Sequence, residues 1–499
     1  MHGAGPARAL RDDVRILSAV PETFDPAAQG DIGSASVTAQ IFESLTAVDR
    51  NLAVQPALAA SWDVSGDGTR IVFHLRDGLT FSDGSDLTAV DVVESWLRLI
   101  DPARPSPLSS LLLAVAGAGE YLAGHVARAA VGLEAQGRDV VVTLARPSSD
   151  FPAIVAGPTF AVVPAIARRD PAAFAQPGLP VSGGYTVANV NATEITLTAN
   201  GRYWAGRPAI GTVHLISDIG GRSPVTAFED GTLDYTSVSW SDAGWLAYDP
   251  ALGPSLRAIP QLTLTYLGFD TSRPPFDDAR VRRAFGAAVD WTRLVELAGG
   301  NLVPADGMVP VGTPGRPGGS FLPAFDPAGD RRLLAEAGFP GGAGFPTVTF
   351  SAGGLGFAPA IVADLARVLN VKIEAEARAD HYARLETDPP PMWVLGWVAD
   401  YPGANDFLGV LLGTGSSNDY ARWSSSEFDG AIADALASRD AATATAAYAR
   451  ALGVVRDEVP AIPLAYGSAW ALSRSGLLGA RENGLGLLRI AGMAWGAGG

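Results

Sequence analysis

The sequence contains no cysteine. That excludes disulfides, thiolate metal sites, iron–sulfur clusters and a cysteine nucleophile, and it leaves the compartment open. Lysine is nearly missing too: Lys372 is the only one among 36 basic residues, which face 52 acidic ones for a net charge of −16. An acidic chain with no dense basic patch is a poor match for nucleic acid or an anionic lipid surface. Long apolar runs are also lacking, and none reaches the ~18 residues that span a bilayer. The opening residues Met1-His2-Gly3-Ala4-Gly5-Pro6-Ala7-Arg8 have no apolar signal-peptide core. Either the protein is cytosolic or its targeting segment has been removed. The five histidines are His2, His74, His125, His214 and His381, and no two stand at metal-ligand spacing. No carboxylate pair, Ser-His-Asp arrangement or phosphate-cradling glycine loop rises above background, so neither a metal, a cofactor nor a catalytic residue is expected.

What is present is a chain of 499 residues, 47% hydrophobic and 18% charged, which is globular and long enough for two to four domains. Its most informative stretch is Met392-Trp393-Val394-Leu395-Gly396-Trp397-Val398-Ala399-Asp400-Tyr401-Pro402. The apolar run reads as a short buried strand, ended by the charge of Asp400 and the fixed φ of Pro402. Asp400 is therefore expected at a strand end, the edge at which α/β sheets meet ligands, with Trp397 and Tyr401 as aromatic surface beside it. The other reading is a core strand whose terminal aspartate caps the next turn.

From the N-terminus, 15–20 reads as a first strand, 21–26 as a proline-bracketed turn, 34–44 as a helix and 45–52 as a strand with a tight turn. A meander follows, with strands around Trp62 and over 71–75 joined at Gly66-Asp67-Gly68. Thr88 is the expected N-cap of a helix with Asp91 in its first turn and Val92, Val93, Trp96, Leu97 and Ile100 on its buried face.

Four ordered segments carry a family likeness: Pro56-Ala57-Leu58-Ala59 with Ser61-Trp62; Phe73-His74-Leu75-Arg76-Asp77-Gly78; Phe81-Ser82-Asp83-Gly84; and Leu87-Thr88-Ala89-Val90-Asp91-Val92. In these the chain resembles the family-5 extracellular solute-binding proteins of ABC importers, the group of dipeptide, oligopeptide and nickel receptors. Later segments continue it: Gly183-Gly184-Tyr185-Thr186, Tyr203-Trp204, Phe228-Glu229-Asp230-Gly231, the helix starting near Asp278, Leu333-Leu334-Ala335-Glu336-Ala337-Gly338, and an amphipathic stretch over 431–455. The loop 311–320 is irregular for the family, and Ala404 replaces a proline that is common there.

The resemblance implies an α/β, periplasmic-binding-protein-like two-lobe fold (type II, cluster C). Lobe I would comprise 1–45, 166–262 and 470–499, an inserted domain II 46–165, and lobe III 263–469. Two strands around 261–270 and 465–473 would form the hinge. The family's Gly-Trp-x-x-Asp element falls on Gly396-Trp397-Val398-Ala399-Asp400, so Asp400 is the implied partner of a peptide's α-ammonium. Gly396 and Val398 of the same element are further implied contacts, and the ligand backbone would pair with main-chain groups of the cleft, for which Ala19-Val20-Pro21-Glu22 corresponds to the lobe I edge. Trp240, Trp245 and Trp423 are further candidate contacts by stacking; Trp62, Trp96 and Trp204 are expected in the core. The function implied is a non-enzymatic, monomeric receptor, periplasmic or lipid-anchored outside the cytoplasm, that delivers oligopeptides or a related polar solute to permease subunits. A nickel-type ligand would have to arrive already chelated. An oligosaccharide stacked on Trp240, Trp245 and Trp397 is the alternative, and a cleft hydrolase a remote one.

Overall fold

A computed structural model of the protein describes residues 11–496, so His2 and the first eight residues discussed above lie outside it. The chain forms two compact units, Met1–Ile259 with Ala469–Gly499, and Pro260–Ser468. Two long strands, Leu256–Phe269 and Ala461–Ser473, each begin in one unit and end in the other.

In the first unit the Asp13–Leu17 strand lies parallel to Thr212–Ile216 and to Tyr235–Val238. Glu194–Ala199 and Tyr185–Val190 extend the sheet antiparallel on one side, and the end of Ala461–Ser473 pairs antiparallel with Tyr235–Val238 on the other. Val14, Ile16, Val37, Ile41, Val213 and Leu215 fill its core. A separate antiparallel sheet of Ala59–Val64, Arg70–Leu75, Asp139–Thr143 and Leu133–Gln136 lies in the same unit. The Ala89–Leu97 helix packs beside it, and its start is fixed by Asp91, whose carboxylate accepts from the Thr88 N–H at 2.9 Å and the Thr88 hydroxyl at 2.8 Å. Trp96 is fully buried, edge-on to Phe73, Phe151 and Phe160, with its indole N–H donated to the Phe160 carbonyl at 2.9 Å. Burying such a ring contributes about 2–3 kcal/mol, and the donated N–H avoids an orphan donor.

The second unit is built on a sheet in the order Ile373–Glu376, Val348–Ser351, Met392–Val398, then the unit's parts of Leu256–Phe269 and Ala461–Ser473. Helices Ala279–Ala287, Pro327–Glu336 and Ala358–Leu369 cover a core of Phe269, Phe276, Phe285, Phe350, Ile361 and Leu365. Asp278 caps the first of these helices by accepting the Arg280 N–H at 2.8 Å.

Several boundaries differ from the sequence reading. The first strand is Asp13–Leu17, because Asp13 and Arg15 form ion pairs at its rim instead of marking a loop. The next helix is Ile32–Ile41, since Asp31 caps it by accepting from the Ser34 N–H. The 431–455 stretch is two helices, Ser426–Ala437 and Ala441–Glu458, because Asp440 caps a new one through Thr443. Trp62 and Trp204 are half-buried, not core, and Arg76 lies 4.1 Å over the Trp204 ring.

Candidate ligand-binding site

The Met392–Val398 strand runs antiparallel to Leu256–Phe269, with Gly396 opposite Thr265 and Trp397 opposite Leu264. The Ala399 N–H donates to the Leu262 carbonyl and the Asp270 N–H to the Pro391 carbonyl. Bonded pairs alternate along an antiparallel ladder, so Leu395 and Trp397 bond inward while the main-chain groups of Gly396 and Val398 point to the opposite edge. On that side Val348–Ser351 pairs with Met392 and Trp393. There the buried His381 ring takes over, 2.8 Å from the Ser351 hydroxyl and 2.8 Å from the Val394 carbonyl. Beyond it, among the described residues, no strand pairs with the edge. Gly396 is exposed, a Cβ added to it would meet nothing within 4 Å, and Val398 is 60% exposed.

The chain then turns at Ala399 and brings Asp400 to the end of this edge. Asp400 is half-buried, and burial pushes its carboxyl up to about 6, with no basic group among the described residues to offset the effect. Its main-chain N–H donates to a carboxylate oxygen of Asp406 at 3.2 Å, and the same oxygen accepts the Trp397 indole N–H at 2.9 Å. Trp397 therefore has its ring, and not its N–H, to offer a guest. Tyr401 turns inward: it is buried, and its hydroxyl accepts from the Asn405 amide at 2.9 Å. That corrects the expectation of an aromatic wall on both sides of the carboxylate. Trp423 is buried against Phe428, with its N–H donated to Glu458 at 2.9 Å, which makes it a packing residue.

In the first unit, Val20 is 67% exposed and Glu22 presents an exposed side chain, while the Glu22 main-chain N–H is taken by the Ser34 hydroxyl at 3.0 Å. Pro21 between them is partly exposed. Trp240 and Trp245, 54% and 48% exposed, lie on the Trp240–Leu246 helix, whose opposite side buries Ala243 and Leu246. The sequence reading thus named two groups, one in each unit, and lost Trp423 and Tyr401 to packing.

The profile of bacterial extracellular solute-binding proteins, family 5 (middle region), matches residues 53–419. The chain belongs to this family. It is 28% identical over 473 residues to the probable deoxycholate-binding periplasmic protein YgiS of Escherichia coli K12, covering 89% of this chain and 86% of the relative. It is also 28% identical over 474 residues to the periplasmic oligopeptide-binding protein OppA of the same organism, covering 91% and 86%. The unliganded open form of MppA, a periplasmic murein tripeptide binding protein, superposes with a TM-score of 0.83 over 98% of this chain and 99% of that one, at 23% identity. The fold is accordingly the two-lobe α/β fold of these binding proteins.

Two residues that shape this strand end escaped the sequence reading. His381 was considered only as a metal ligand, yet it seals the strand edge; among the described residues no group of His, Cys, Asp and Glu is placed to hold a metal. Asp406 was overlooked altogether, although an acid wedged into Ala404-Asn405-Asp406-Phe407-Leu408 is the kind of misfit that signals a buried role.

Proposed function

We propose that the protein is the ligand-capturing receptor of an ABC importer, that it takes oligopeptides, and that it hands them to a membrane permease outside the cytoplasm. The observation that carries this reading is the pairing of Asp400 with the free edge at Gly396 and Val398. A peptide laid along that edge adds a strand through its main chain. Its α-ammonium then meets a partly buried carboxylate that no basic group among the described residues offsets, where an ion pair is worth more than in water. Val20, Pro21 and Glu22, with the rings of Trp240, Trp245 and Trp397, are the further contacts of the same proposal. The same proposal includes the inserted domain at 46–165, closure of the lobes about the two crossing strands, a monomeric state, and a location either in the periplasm or lipid-anchored at the outer face of the cell membrane. Family membership and the periplasmic relatives support the reading, and no helix among the described residues is long and apolar enough to cross a membrane.

Isothermal titration with mixed short peptides tests it: saturable heat is expected, and its absence with every peptide would count against the ligand class. Peptide recovered unchanged after prolonged incubation is the expected sign that no catalysis accompanies capture. An oligosaccharide is the second reading, favoured by the exposed rings of Trp240 and Trp245. It predicts that Trp240→Ala weakens binding more than Asp400→Ala does; the peptide reading predicts the reverse.

A further inference from the structure

We infer that Asp406 is the positioning residue of the ammonium site, holding Asp400 and Trp397 in their ligand-facing arrangement through a single carboxylate oxygen. This rests on the peptide reading above and deepens it.

Asp406 is fully buried, in the Ala404–Phe407 helical turn that follows the loop after the strand. Burying a carboxylate is costly unless hydrogen bonds compensate. Two of the compensating donors are those that fix the site: the Trp397 indole N–H at 2.9 Å and the Asp400 main-chain N–H at 3.2 Å. The first sets the rotamer of a partly exposed ring. The second pins the peptide unit that carries the ligand-facing carboxyl, just where regular strand pairing has ended at Ala399. Without the acceptor, two N–H groups lose their partner and the turn over 399–403 loses a tether. A displacement of about 1 Å is enough to spoil an ion pair and an aromatic contact made in a partly desolvated site. Asp406 is itself shut off from solvent, so its effect on a guest passes through the groups it holds, Asp400 and Trp397.

The test compares Asp406→Ala with Asp406→Asn, whose amide oxygen accepts the same two hydrogen bonds. Titration of a short peptide with a free N-terminus should weaken roughly thirtyfold or more in the alanine variant and stay within about fivefold in the asparagine variant, as loss and retention of two hydrogen bonds imply. Fluorine NMR of 5-fluorotryptophan-labelled protein, with the Trp397 signal identified by Trp397→Phe, should show that signal moved in Asp406→Ala and kept in Asp406→Asn. Should the alanine variant not fold, Asp406→Ser, too short to reach both donors, takes its place with the same expectation. Unchanged affinity in Asp406→Ala, or asparagine as damaging as alanine, would overturn the inference. Asp400→Ala, measured alongside, separates the two readings: if it also binds like wild type the ammonium site itself is refuted, and if it alone fails only the role of Asp406 is.

Discussion

Asp400 and Asp330 are two aspartates of the same unit, both held above the ordinary carboxylate range by burial, and they illustrate opposite uses of one cost. Asp330 lies in the first turn of Pro327–Glu336, is almost wholly buried beside the like charge of Asp326, and is pushed up to about 8. Nothing can reach it. Asp400, pushed up to about 6, stands at the open end of a strand edge next to exposed main chain. Both acids destabilise the fold when ionised, since a carboxyl whose folded pKa is raised binds protons more tightly folded than unfolded. On the proposed reading only Asp400 is placed so that a visiting cation would recover that free energy. A raised carboxyl value alone therefore does not mark a site; the route by which a counter-charge arrives does.

The largest expected effect breaks the comparison on the binding side. Asp400→Ala should weaken peptide affinity by about 100-fold or more, the order of a lost desolvated ion pair, while Asp330→Ala changes it less than about twofold in the same titration. On the stability side the order reverses. Asp330→Ala should stabilise the protein by about 2 kcal/mol at pH 8 in urea unfolding, the gain fading as pH falls and vanishing only below about pH 3, where the acid is protonated in both states. A third measurement sharpens the role of Asp400: because a cation binds its ionised form, wild-type affinity should fall about tenfold between pH 7 and pH 5. The smallest effect joins the two columns. Asp400→Asn should raise the stability of the ligand-free protein by about 1 kcal/mol at pH 8 and by less at pH 4, and added peptide should no longer shift its melting temperature.

How much of this was legible beforehand depends on how local the determining physics is. The Met392–Val398 strand and its acidic end could be read because apolar run, charge and proline all fall within eleven residues. The Ala89–Leu97 helix could be read because Thr88 and Asp91 announce a capping box three residues apart. The break at Asp440 was local too, but a continuing apolar period hid it. Asp406 could not be placed, since its role depends on how a loop folds back on a strand end. Nor could the buried contact of Arg489 with Glu43, 446 residues apart, which also takes in the Tyr203 hydroxyl at 2.5 Å. The family likeness singled out Asp400, whose role is the proposal above; Trp423, offered as a further stacking contact, is buried, and sequence does not reveal which way a ring turns.

His381 has a consequence for selectivity. By occupying the Val394 carbonyl it leaves a free margin of only about four residues, roughly 13 Å at the rise of a strand. On the peptide reading proposed above, a guest pairing there would be inspected through its first few peptide units and its charged terminus, and whatever chain follows would pass outside that register. Such a receptor would sort by how a molecule begins, and would tolerate wide variation in how long it is.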